Sequence, residues 1–165
     1  MHPQIPPPCI LPQRLVPSLT LPPFRYVPGL YTHPSRSVGQ HLGIDKHLVT
    51  PQKNWKDDTA WLYGLDLFNF RFYWESHEVW EEPWKMLPND DPYRIFLQGM
   101  IKASASILKR HMGHHRPADL LWASAQDLLD TDAEVFRGVV VDDLVGKVKR
   151  FHHSGEWPVL SIQLS

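Results

Sequence analysis

One cysteine, Cys9, stands in 165 residues, so no disulfide can close within the chain and a packed core must hold the fold. A lone thiol fits a reducing compartment. No apolar run approaches the roughly 20 residues a membrane-spanning helix needs. The apolar patches between Cys9 and Phe24 are broken by Pro12, Pro17, Pro22 and Pro23, which rules out the helical h-region of a secretory signal. The expectation is a cytoplasmic protein with no membrane partner. Glycine is also scarce, with 9 residues thinly spread. Neither a glycine-rich phosphate loop nor a dinucleotide fold is expected, and no nucleophile elbow or Cys–His pairing appears.

What is abundant is proline, tryptophan and histidine, at 16, 7 and 10 residues. Apolar residues at 42% and charged residues at 21% are ordinary for one globular domain. Eleven of the prolines fall in residues 1–56, which also carry six basic groups against Asp45, a balance of +5. The remainder carries −6. Proline at this density favours extended chain over helix. Residues 1–56 therefore read as a basic, proline-rich extension, 57–155 as a helical domain, and 156–165 as an extended tail. The apolar residues between Leu15 and Tyr31 would be poorly placed in water, and Phe24 to Pro34 read as an extended strap packed on the body, with a turn at Pro28-Gly29; residues 1–12 are expected to be loose. Six scattered cations make a poor basic patch, so no nucleic-acid partner is expected.

From Asp57 the texture turns helical. Asp57 or Asp58 can cap a first helix whose face is Trp61, Leu65, Phe68 and Phe72. A second helix spans roughly Tyr73 to Glu82, where Pro83 should end or kink it. A third, roughly Tyr93 to Met112, presents Leu97, Ile101, Ser104 and Leu108 with small residues beside them, and is the expected centre of the bundle. Pro117 suits the first turn of a fourth helix reaching about Asp130. After a linker, Val141 to Phe151 suggest a fifth, ending near Gly155. Leu160, Ile162 and Leu164 alternate as in a short strand that pairs with the strap or covers an edge. The fold class is all-α: about five helices with a proline-rich N-terminal strap and a short extended C-terminal segment.

The segment that could carry chemistry is Tyr73-Trp-Glu-Ser-His-Glu-Val-Trp-Glu-Glu-Pro-Trp84. At about 100° per residue, Tyr73, His77, Trp80 and Trp84 share a face with Glu81 at its edge. Glu75, Glu78 and Glu82 fall opposite and are expected to face water. A zincin helix needs a second histidine where Glu81 stands. A di-iron carboxylate bundle needs Glu-x-x-His pairs, but residue 74 is tryptophan and the third helix has no acid. A mononuclear divalent metal held by His77 and Glu81, with His33 and His41 from the strap, is the one cofactor left open. Against it stands a structural knot: His77 bonded to Glu81, with the amides of Asn69 and Gln98 as further partners. The same pair in an apolar pocket could move a proton. His111, His114, His115 and the pair His152-His153 read as solvated groups at helix ends.

At these residues the chain resembles the helical family known as domain of unknown function 309. The resemblance rests on Leu67-Phe68-Asn69, on Tyr73 to Glu82, and on Phe96-Leu97-Gln98-Gly99. Tyr26-Val-Pro-Gly29 with His33-Pro34 looks like the family's longer members, so the likeness spans roughly residues 24–131. It implies an all-helical bundle with no established activity, and it marks Asn69, Glu75, His77, Glu78, Glu81, Glu82 and Gln98 as the polar positions of interest. Ser76 stands where the family commonly has alanine, and Pro83 where it has leucine.

The functional expectation is a non-enzymatic domain that binds a partner protein or small molecule through the groove between the second and third helices. The alternative is a metal-dependent or acid–base enzyme, hydrolase-like, centred on His77 and Glu81. A third reading is a homo-oligomer in which the basic strap grips a neighbour's acidic body.

Overall fold

The computed structural model describes residues 3–30 and 44–165 of the chain. Five helices make up the body: α1 Thr59–Asn69, α2 Tyr73–Met86, α3 Pro92–His111, α4 His115–Leu129 and α5 Val141–Ser154. Short connections force α1 to α4 to pack as sequential neighbours, and α3 touches α2, α4 and α5. The sequence reading of a mainly helical bundle centred on the third helix holds.

Local chemistry sets the boundaries. Asp58 caps α1, its Oδ1 accepting the Trp61 N–H at 3.0 Å. Asp91 caps α3 in the same way through Tyr93 N–H at 2.8 Å, with Pro92 at the first helical position. Gly155, at φ 79°, stops α5. Between α1 and α2 the left-handed position falls on Arg71 at φ 70°. The Phe72 N–H reaches Leu67 O at 2.8 Å and Arg71 N–H reaches Phe68 O at 3.0 Å, so two orphan carbonyls are satisfied within one tight reversal.

Helix α2 does not end at Pro83 but continues to Met86. Pro83 forfeits one N–H bond, and Arg94 of α3 compensates at the helix end. Its guanidinium donates to Trp84 O at 2.7 Å and Leu87 O at 2.8 Å while lying 4.2 Å from the Trp84 ring centre.

The expected linker before α5 is a small antiparallel hairpin, Val135–Phe136 with Val139–Val140. Its turn places Arg137 at φ 47° and Gly138 at φ 83°, both left-handed. A Cβ on Gly138 would fall 2.6 Å from the Trp55 ring, so that position needs glycine twice over. Phe136 stacks on Phe96 at 4.2 Å, fixing the hairpin to α3. The C-terminal tail pairs with this hairpin rather than with the strap: Ile162 bridges Val139, and Gln163 N–H donates to Gly138 O at 2.7 Å.

The described part of residues 1–12 is not loose. Ile5 is 4% exposed within the main core, Arg71 donates to the carbonyls of Pro6 and Pro7, and a His111 ring nitrogen lies 2.6 Å from Pro3 O.

Helices α1 and α2 approach closely at Gly64. Trp80 lies fully buried against Gly64, its indole N–H donating to Trp61 O at 3.3 Å. A Cβ on Gly64 would sit 1.9 Å from the indole nitrogen. Gly64→Ala is therefore expected to destabilise the fold by about 2–3 kcal/mol, since overpacking a dense core shifts rings and backbone. A thermal melt of the variant that overlays the parent would contradict this packing.

Candidate functional site

Helix α2 is buried on two sides, which a single amphipathic stripe did not anticipate. Tyr73, Ser76, Trp80 and Pro83 recur at helical spacing toward α1 and α3. At the centre of that side Ser76 Oγ donates to Tyr73 O at 3.0 Å and meets Ser104 Oγ of α3 at 3.1 Å. Serine in place of alanine here thus adds a cross-helix bond. Phe72, Glu75 and Val79 line the other side, where the N-terminal arm lies.

Glu75 is the main correction. Expected in water, it is fully buried, because the arm covers it. One oxygen accepts the Tyr26 N–H at 2.8 Å, and the other meets no donor. Burial pushes its carboxyl up to about 7, ahead of the opposing bond from Tyr26 N–H and the attraction of Arg25. Glu78 is also half-buried rather than solvated. Its carboxyl is pushed up to about 7 by burial and then by repulsion from Glu81, against a bond from Trp74. Glu82 is half-buried at the rim, with only a loose contact of 3.9 Å to Lys85.

His77 is half-buried beside this acid group. Its Nδ1 is 3.4 Å from Tyr73 O, and its ring stands edge-on to Trp74 at 4.8 Å. Burial pulls the imidazole below its ordinary pKa, and Glu81 opposes that. No hydrogen bond or ion pair joins His77 to Glu81 among the described residues, so the expected knot is not closed.

Neither amide serves His77. Asn69 is turned to the tail, where its Oδ1 accepts Leu160 N–H at 2.8 Å and its amide donates to Leu160 O at 3.4 Å. Gln98 is half-buried on α3 and makes no side-chain hydrogen bond among the described residues. Of the proposed metal set, His33 and His41 lie outside the described residues. Among the described residues no three His, Cys, Asp or Glu side chains gather around one position.

The polar residue that sequence reasoning missed is Asp66 of α1. Buried to 1% exposure, it accepts Arg14 Nε–H at 2.9 Å, Leu15 N–H at 2.7 Å and Val16 N–H at 2.9 Å. Nearby, Tyr63 OH donates to Thr20 O at 2.7 Å. Arg25 Nε–H donates to Phe70 O at 3.0 Å, with its guanidinium 4.2 Å over the Phe72 ring. The signal was available, since Asp66 is the only acid in the apolar stretch Trp61 to Phe70. A charge there had to find donors.

These elements define a mainly helical bundle whose first two helices receive an extended arm. Residues 61–121 match the family described as Domain of unknown function (DUF309), which supports the resemblance read from the motif over that span. No curated protein matches the chain.

The raised Glu75 pKa has a signed consequence. A carboxyl at about 7 when folded and near 4.5 when unfolded gives stability that is full below pH 4.5 and is lost as pH rises through 7. Between those limits the parent should lose on the order of 2–3 kcal/mol more stability than Glu75→Gln. Denaturant titrations at pH 4.5, 6 and 7.5 would show this; parallel curves would remove Glu75 from the account.

Proposed function

We propose that the chain is a non-enzymatic binding domain in which the groove along α1 and α2 holds an extended, proline-containing segment, here the chain's own arm. The observation that carries this reading is the direction of the polar contacts. Asp66 takes the N–H groups of Leu15 and Val16, Tyr63 takes the carbonyl of Thr20, and Glu75 takes the N–H of Tyr26. All of these bind backbone, which any extended chain presents, as in strand-addition modes of peptide recognition. Apolar side chains supply the seating: Val16, Leu19 and Leu21 pack on Tyr63, Leu67, Phe70, Phe72 and Val79.

On this reading the groove that holds the arm runs along α1 and α2 rather than between α2 and α3. The Ser76–Ser104 contact closes the latter side. Partner identity then depends on what can exchange with the arm, whether a neighbour's arm in a homo-oligomer or another extended chain.

A protease site engineered within residues 31–43 tests this on the folded full chain. After cleavage, residues 1–30 should stay bound through gel filtration and exchange with excess labelled peptide of the same sequence. Asp66→Asn should speed release at least tenfold, the equivalent of about 1.4 kcal/mol for a lost charge-assisted contact. A fragment that departs at once and does not rebind the intact body would sink the proposal.

The enzyme alternative rests on His77 and Glu81 and has its own check. Metal analysis of tag-free protein is expected to show no stoichiometric divalent ion that depends on His77. An equivalent of metal present in the parent and lost in a folded His77→Ala variant would replace the binding reading with the metal-dependent one.

A further inference from the structure

A second site lies away from the arm, where α4 and α5 diverge. They enclose an open groove of about 650 Å³ lined by Trp122 and Gln126 of α4 and by Gly146, Lys149, Arg150, His152 and His153 of α5. That volume falls in the range of pockets for small organic ligands. No acid lines it, and four of its seven lining residues are lysine, arginine or histidine.

Two features of this groove are not accounted for by packing. The first is Gly146, inside a regular helix, where glycine costs roughly 1 kcal/mol against alanine. Its φ is not left-handed, and a Cβ there would meet only an Arg150 guanidinium nitrogen, at 3.6 Å. Nothing in the fold calls for a missing side chain, yet its absence keeps the groove floor open.

The second is His152, only 8% exposed although sequence reasoning placed it among solvated histidines. Its Nε2 lies 2.9 Å from Ser106 Oγ, and that hydroxyl donates its single hydrogen to Ala103 O at 2.7 Å. With that hydrogen on Ala103 O, Nε2 carries the proton and donates to Ser106. This leaves Nδ1 as a bare acceptor, and it has no partner among the described residues. Burial, then the nearby Arg110 charge, pull the imidazole pKa down, with Asp119 opposing, so the ring holds its acceptor form. The ring lies nearly parallel to Trp122, 14° between planes at 5.8 Å, so the wall is aromatic.

We propose that the α4–α5 groove binds a small, flat, apolar molecule that carries one acidic group. The aromatic wall of Trp122 and His152 takes the flat body over Gly146. Lys149 and Arg150 at the rim take the acid; Arg150 is held only by an exposed contact of 3.8 Å to Glu156, and Lys149 has no ion pair among the described residues. This inference is independent of the arm reading, since none of these residues touches the arm's contacts described above.

Anilinonaphthalene sulfonate has this chemistry and its fluorescence reports burial, so it is the probe. Titrated into the folded full chain, it should bind saturably at one site per chain. Gly146→Leu fills the floor at a helix position that tolerates leucine, so the melting temperature should not fall while affinity drops at least roughly tenfold. Lys149→Glu with Arg150→Glu should weaken binding to a similar degree, and uncharged N-phenylnaphthylamine should bind at least roughly tenfold more weakly than the sulfonate. Absence of saturable binding overturns the proposal. So does affinity within twofold of the parent in folded Gly146→Leu, and so does equal binding of the uncharged analogue.

Discussion

A carboxyl group withdrawn from water depends on partners the fold supplies, and this protein buries three of them on the first two helices. Asp58, Asp66 and Glu75 are each 1% exposed or less. None finds its donors within its own helix alone. Asp58 caps α1 but also accepts from Gln52 N–H, Tyr93 OH and the Arg137 guanidinium, at 3.0, 3.0 and 2.7 Å. Asp66 draws on residues 14 to 16, and Glu75 on Tyr26. The acids therefore specify where the arm, the hairpin and α3 must lie. Stripping a buried charge of its partner costs several kcal/mol, so misplacing any of these segments is penalised well beyond the apolar area lost.

The arm's composition fits that demand. Ordering one residue costs roughly 1–2 kcal/mol in backbone entropy, and a long segment without secondary structure would ordinarily be hard to hold. Proline lowers that cost by restricting the unfolded chain. It also prevents helix, so the remaining N–H and C=O groups stay free for side chains of the body to bind. Asn69 applies the same logic to the tail. Its side-chain amide both accepts from and donates to Leu160, imitating one rung of a β-ladder just before the tail pairs with the hairpin. Two extended segments are thus fastened to a helical body by side chains that substitute for a sheet edge.

Helix number, order and most boundaries were legible because apolar residues at 3.6 spacing and ordinary caps act locally. Asp58, Asp91-Pro92 and Gly155 each end or begin a helix through atoms within a few residues. What was not legible depends on partners far along the chain. Pro83 looks like a terminator until Arg94 satisfies the carbonyls beyond it. Glu75 looks solvated on a helical wheel because the wheel cannot show an arm 49 residues away. The hairpin's only local mark was a glycine between short apolar pairs, with arginine rather than asparagine or aspartate in the other left-handed position. The family-like stretch marked α2, while the contacts of its buried polar residues depended on the arm and the tail.

The distinction between spent and unspent polar groups separates the two sites. Around α1 and α2, Asp66 and Asn69 are engaged by the protein itself, and the idle oxygens among the described residues belong to Tyr73, Glu75 and Glu78, burial favouring the neutral acid at both glutamates. Their chemistry is consumed in fastening the arm and the tail, which is why a motif rich in histidine and glutamate does not assemble a three-ligand set among the described residues. In the α4–α5 groove the balance differs. With the Ser106 hydrogen on Ala103 O, the His152 tautomer leaves a buried acceptor idle, and the ring lines the groove together with a glycine that no neighbour requires. A fold under selection for stability alone would gain by placing alanine at 146 and an apolar side chain at 152. Carrying both costs is understandable if the groove is occupied during the protein's working life.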